Sequence, residues 1–106
     1  MIYELKQYTP HAGKSVALRE RFVKSTMPIF SRVGVKVVAV FTPDESAGEL
    51  WYITAFESAA ARDAAWEAFS SDTEWKAVKA ASETDGPLLA SQKSTSLGRV
   101  AGTPAL

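Results

Sequence analysis

The sequence predicts an α+β fold of the ferredoxin-like kind: one antiparallel sheet with helices on a single face, in the order strand, helix, strand, strand, helix, strand. Two observations predict it. Hydrophobic periodicity alternates between the strand repeat of two and the helical repeat of about 3.6 in that order. Between the two middle strands lies Pro43-Asp44-Glu45-Ser46-Ala47-Gly48, a loop of hairpin type. A chain of 106 residues holds one domain and one modest core. Residues 1–97 are expected to form that domain, and 98–106, rich in Gly, Pro and Ala, a loosely ordered tail.

Ile2 to Thr9 is rich in β-branched and aromatic residues and stops at Pro10, so it reads as the first strand. After the turn His11-Ala12-Gly13-Lys14 the period becomes helical. Val16, Val23, Met27 and Phe30 make one stripe, with Leu18, Phe22 and Ile29 beside it. Pro28 is expected to kink this helix near Lys24, whose carbonyl loses its donor, and Gly34 to end it. Lys36 to Thr42 and Leu50 to Glu57 are the hairpin strands. Ser58 is the expected N-cap of the second helix, which buries Ala65, Trp66 and Phe69. Ser71 with Glu74 reads as a capping box opening a short helix that carries Trp75 and Val78. A turn at Asp85-Gly86-Pro87 leads to the last strand, Leu88 to Leu97.

Lys plus Arg and Asp plus Glu stand at twelve each, with no basic stripe, so nucleic acid is not an expected partner. The absence of cysteine removes disulfides, thiolate metal sites and Cys nucleophiles. No apolar run approaches the roughly 20 residues that cross a bilayer, and the first residues lack a signal-peptide pattern. No membrane association is expected, and the cytoplasm is the expected location. The hairpin strands are apolar on both parities: Val37, Ala39 and Phe41 against Val38 and Val40, then Leu50, Tyr52 and Phe56 against Trp51, Ile53 and Ala55. Helices cover one face, so the other calls for a partner, and the simplest is a second copy. A homodimer through the sheet face is therefore expected. The competing reading is a monomer whose tail folds over the sheet.

Met1-Ile-Tyr-Glu-Leu-Lys-Gln-Tyr-Thr9 followed by Gly13-Lys14, Met27-Pro-Ile-Phe30 before Gly34, and Ala65-Trp-Glu-Ala-Phe69 with Asp72-Thr-Glu-Trp75 together resemble NIPSNAP-family domains over essentially the whole chain. The departures are His11, where a lysine or a variable residue is expected, and Thr73, where a proline is common. The resemblance implies a dimeric α+β barrel. It implies little chemistry, because bacterial members mostly lack an assigned activity. The wider superfamily includes cofactor-free monooxygenases, haem-degrading oxygenases, isomerases and cyclases. Trp66 holds a helix position similar to a tryptophan of the oxygenases, but those sites also use an asparagine, and this chain has none. The haem-degrading type further uses a histidine on a helix, whereas His11 lies in the first loop.

Other motifs yield to simpler readings. Gly13-Lys14-Ser15 lacks the earlier glycine of a phosphate loop, with Tyr8 in its place. One histidine without cysteines is too few for a zinc site, and Asp44, Glu45 and Glu49 fit no calcium loop. No metal or cofactor is expected. The informative signal is aromatic. A cavity between sheet and helices is expected near Tyr8, His11, Phe22, Phe56, Trp66 and Trp75, suited to a small apolar or aromatic molecule, although such side chains also make ordinary cores. Strand alternation puts Glu4, Lys6 and Tyr8 on one side, where an ion pair involving Glu4 is the simpler expectation and acid–base chemistry the alternative. Whether the chain is an enzyme stays open between a ligand-binding protein, a cofactor-free acid–base isomerase or cyclase (less readily a monooxygenase), and a non-catalytic interaction module.

Overall fold

The structure, a computed structural model, describes residues 1–43 and 48–104, so Asp44 and Glu45 of the acidic loop lie outside the described residues. Four strands, β1 (Ile2–Pro10), β2 (Lys36–Phe41), β3 (Leu50–Phe56) and β4 (Leu89–Leu97), pair antiparallel in the order β2-β3-β1-β4. The helices are α1 (Ser15–Arg21), α2 (Met27–Val33), α3 (Ala59–Ser71) and α4 (Thr73–Ser82), and a π-helical segment, Phe22–Thr26, joins α1 to α2. None of the described helices is long and apolar enough to cross a membrane.

The barrel implied by the resemblance does not form. β2 pairs only with β3 and β4 only with β1, so the sheet is open, with β2 and β4 as its two edges. Closure requires the edge strands to meet at a fixed stagger, and here the two central strands hold them apart. The fold is a mixed α/β arrangement around an open four-stranded sheet.

The register explains the two faces. Leu50, Tyr52, Thr54 and Phe56 alternate toward the helices and are buried, whereas Trp51 and Ile53 point to the opposite face and are half-buried. A bulge between Val37 and Ala39 shifts β2 by one residue, so Ala39 pairs with Ile53 and Phe41 with Trp51. The core joins Leu18, Phe22 and Phe30 from the first helical stretch to Val35, Leu50, Tyr52, Phe56, Ala65 and Leu88. Each large apolar side chain buried there contributes about 1.5–3 kcal/mol.

The expected stripe on the first helix is corrected. Val16 and Val23 are 65% and 57% exposed, and the side facing the sheet is Leu18, Phe22, Thr26 and Phe30. Those residues are four apart. A uniform helix of about 3.6 residues per turn carries such positions progressively off one face, and the wide π turn takes up the drift. The same turn answers Pro28. The N–H of Met27 donates to the Phe22 carbonyl, five residues back, and Pro28 enters as the second residue of α2, where its missing N–H costs little.

Two glycines are needed where they stand. Gly34 ends α2 at φ 98°, letting the Val35 N–H reach back to the Phe30 carbonyl at 2.8 Å. Gly48, at φ 85°, passes so close to Ser15 that a Cβ there would collide with the serine side chain. The Ser58 hydroxyl caps α3 by accepting from the Ala61 N–H at 3.1 Å. The cap of α4 differs from the expected one. Asp72 accepts from the Trp75 N–H at 2.9 Å, while the Ser71 hydroxyl donates to the Glu67 carbonyl. Ser71 remains helical as the last residue of α3, which leaves Asp72 as the first extended residue able to cap. Beyond β4, the Arg99 guanidinium donates to the carbonyls of Thr103 and Pro104, and this turn lies beside Tyr3, Ile53 and Leu97 on the face away from the helices.

Candidate functional site

On the helix side, alternation along β1 directs Glu4, Lys6 and Tyr8 between the sheet and α3, α4 and the π segment. A cavity of about 710 Å³ opens there. Its apolar wall is Leu18, Phe22, Trp66, Phe69, Trp75 and Leu89, and its polar positions include Lys6, Tyr8, Arg21, Glu83 and Gln92. Of the six aromatic and imidazole candidates, Tyr8, Phe22, Trp66 and Trp75 line it. His11 is exposed in the turn after β1, where its N–H donates to the Leu88 carbonyl. Phe56 is buried at the end of β3 and packs against Trp66 with ring centroids 6.0 Å apart.

The aromatic wall is continuous. Phe30 contacts Tyr52, Trp66 and Phe69 with centroids 5.8, 5.4 and 4.7 Å away, and Phe69 leads to Trp75 at 4.6 Å. Such tilted and edge-to-face pairs are favourable geometries for ring quadrupoles. Each tryptophan on the wall carries a cation. The Lys6 ammonium lies 4.4 Å from the Trp66 ring centroid, and the Arg21 guanidinium 5.1 Å from that of Trp75.

These cations differ in their partners. Arg21, buried beneath α4, donates to Glu83 at 2.8 Å and Ser82 at 3.1 Å, and Glu83 also pairs with Lys79 at 3.2 Å. Burial alone would raise the Glu83 carboxyl, but the hydrogen bonds and charges of Arg21 and Lys79 outweigh it and hold it below the usual range. Lys6 donates to the Ser94 hydroxyl at 2.7 Å and has no carboxylate at ion-pair distance among the described residues. The expected ion pair of Glu4 is thus replaced: its carboxylate accepts from the Trp66 indole N–H at 2.6 Å. Partial burial pulls the Lys6 ammonium below its usual pKa, with Glu4 opposing and Arg62 adding to the shift.

At the floor, the hydroxyls of Tyr8 and Tyr52 are 2.5 Å apart. Burial raises the Tyr8 phenol, against the pull of Tyr52 and Arg21. Burial also raises Tyr52 well above its ordinary value, with Tyr8 and Glu4 adding to it. Both are neutral phenols at ordinary pH. No group of three or more His, Asp or Glu side chains gathers around a metal position among the described residues. Sequence reasoning missed Arg21, Phe69, Glu83, Leu89 and Gln92 as lining residues. Phe69 was legible as core, but the Arg21–Glu83 pairing spans 62 positions and leaves no local pattern.

Sheet and cavity together define a small α/β protein whose helices stand off an open antiparallel sheet and leave a chamber of ligand size. The chain belongs to the NIPSNAP family, whose model matches residues 3–102. Among curated proteins none matches it. Its fold is shared with an uncharacterised NIPSNAP domain protein of Burkholderia xenovorans, with TM-score 0.83 and 21% identity over 99% of this chain and 100% of that one. Two NIPSNAP-family proteins of Agrobacterium tumefaciens are also similar. One, of unknown function, has TM-score 0.84 and 19% identity over 100% and 94% of the two chains. The other has TM-score 0.84 and 16% identity over 97% and 96%.

Proposed function

We propose that this protein is a cytoplasmic homodimer that holds a small apolar or aromatic molecule between its sheet and its helices. The observation that carries the ligand is the cavity of about 710 Å³ with its wall of Phe22, Trp66, Phe69 and Trp75. That volume falls within the roughly 300–1,000 Å³ of small-molecule sites, and an apolar wall with a few convergent polar groups is their usual make-up. Support for the homodimer comes from the other face, where Tyr3, Leu5, Ala39, Phe41, Trp51 and Ile53 form an apolar surface. Phe41 is 55% exposed there, and among the described residues the tail turn lies beside Tyr3, Ile53 and Leu97, at the other end of that surface from Phe41 and Trp51. Apolar patches of that kind usually meet a partner, and a self-complementary two-fold contact needs only a second copy.

A native mass spectrum of the protein purified gently from its producing cells tests both parts. The expected result is two subunits carrying one discrete additional mass per site. A dimer without added mass, which also fails to bind aromatic probes, would move the function to an interaction module. A monomer would overturn the sheet-face assembly. The placement of Lys6 and Tyr8 side by side on the cavity wall favours one second reading, acid–base turnover of an enolisable ligand. Exchange of the ligand's α-hydrogen for deuterium, catalysed by the protein, would distinguish turnover from storage.

A further inference from the structure

Tyr52 is fully buried, and among the described residues its hydroxyl meets one hydrogen-bond partner, the hydroxyl of Tyr8. Two phenols carry two protons, and only one fits between the oxygens. Were Tyr8 the donor, the Tyr52 proton would be left without an acceptor in the core, the costly arrangement for a buried polar group. Tyr52 therefore donates and Tyr8 accepts. The proton of Tyr8 is then turned away from Tyr52, and Tyr8 lines the cavity. A hydroxyl that accepts a hydrogen bond is also polarised into a better donor.

Two residues back along the same face of β1 stands Lys6, also on the cavity wall. Its ammonium has three protons. Ser94 takes one and the Trp66 ring faces the group from one side, but no carboxylate neutralises it at ion-pair distance among the described residues. The other cations of the wall, Arg21 and Lys79, share Glu83. Of the remaining acids on the wall, Asp63 is held by Arg62 at 3.0 Å, and Glu67 is exposed on α3. A directed phenol and a half-buried ammonium thus stand together beside an aromatic wall. The Glu4 carboxylate acts on that ammonium through space but is held by the Trp66 indole N–H, and no carboxylate is at ion-pair distance from it among the described residues.

We propose that the ligand is an organic anion with an aromatic or apolar body, its anionic oxygen received by the Tyr8 hydroxyl and the Lys6 ammonium. Tyr52 is a positioning residue that turns the Tyr8 proton into the cavity. This rests on the ligand-binding reading above and gives the ligand its charge.

Two fluorescent probes of one aromatic skeleton separate the two ideas: anilinonaphthalene sulfonate, which is anionic, and phenylnaphthylamine, which is neutral. The anionic probe binds the native protein about tenfold or more tighter than the neutral one. A charge-assisted hydrogen bond is worth about that factor or more. Lys6→Met weakens the anionic probe by about tenfold, Lys6→Arg retains it, and Tyr8→Phe weakens it by about fivefold. The neutral probe stays within about twofold in each variant, which also shows that the variants fold. Tyr52→Phe weakens only the anionic probe, whereas a merely loosened core would weaken both. If the neutral probe binds as tightly as the anion, or the anion ignores Lys6→Met and Tyr8→Phe, the anionic ligand is excluded while the cavity reading stands. If neither probe binds the native protein, both readings fall.

Discussion

Individual side chains in this protein are decided by who satisfies whom. Glu4 and Lys6 sit two apart on one strand face with opposite charges, yet each takes a different partner, because the indole N–H of Trp66 and the hydroxyl of Ser94 lie within reach. The tyrosine pair has a thermodynamic signature. Tyr8→Phe leaves the buried Tyr52 hydroxyl without a partner and should cost about 1–3 kcal/mol in urea unfolding. Tyr52→Phe removes the donor and leaves Tyr8 facing the open cavity, so it should cost less than about 1 kcal/mol, and the double variant less than Tyr8→Phe alone. A larger loss for Tyr52→Phe than for Tyr8→Phe would reverse the assigned donor. Strand alternation made the shared face of Glu4, Lys6 and Tyr8 readable from sequence. The cross-strand tyrosine contact was not readable, because it spans 44 positions.

Elements begin and end where backbone groups find partners, and here local sequence was a good but imperfect guide. Ser58 was legible as a cap, and Ser58→Ala should cost about 1 kcal/mol of stability in thermal or urea unfolding. The next helix shows the limit. Ser71 and Asp72 are both capping residues, and the choice between them falls to the position at which the chain leaves α3 and to Arg32. That arginine donates to both Asp72 oxygens, at 2.8 and 2.9 Å, and to Glu74 at 2.9 Å. Ser71→Ala should leave the melting temperature unchanged, whereas Asp72→Ala should lower it. Hydrogen bonds from Arg32, then the Trp75 N–H, hold the Asp72 carboxyl below its usual pKa. A carboxyl depressed in the folded state adds stability that is complete above its unfolded pKa and lost as pH falls through the folded one. Arg32→Gln should move the Asp72 titration, followed by carboxyl NMR, up toward the ordinary range. A titration that stays in place would show that Arg32 is not its cause. Pro28 is a comparable case: the disturbance was foreseeable, but its form, a π turn instead of a kink, depends on the demand that Leu18, Phe22, Thr26 and Phe30 all face the sheet.

For the molecule as a whole, the two sheet faces carry different work. One holds the core and the cavity. The other presents Phe41, Trp51 and Ile53 away from the helices, and the homodimer we propose through it should be sensitive to charge. Trp51→Asp or Phe41→Asp should convert a dimer to a monomer in analytical ultracentrifugation, with probe binding in the cavity retained because neither side chain lines it. A dimer indifferent to both substitutions would place the subunit contact elsewhere.

Local chemistry was enough to read the order of strands and helices, the one-sided helical layer, most of the core and several of the aromatic side chains that line the cavity. All of these follow from period, turn residues and caps within a few positions of one another. The open edges of the sheet, the outward turn of Val16 and Val23, and the pairing of Arg21 with Glu83 and of Tyr8 with Tyr52 were beyond that reach. They depend on distances between residues remote in the chain, and such distances are set only when the strands take their register and the helices settle on them.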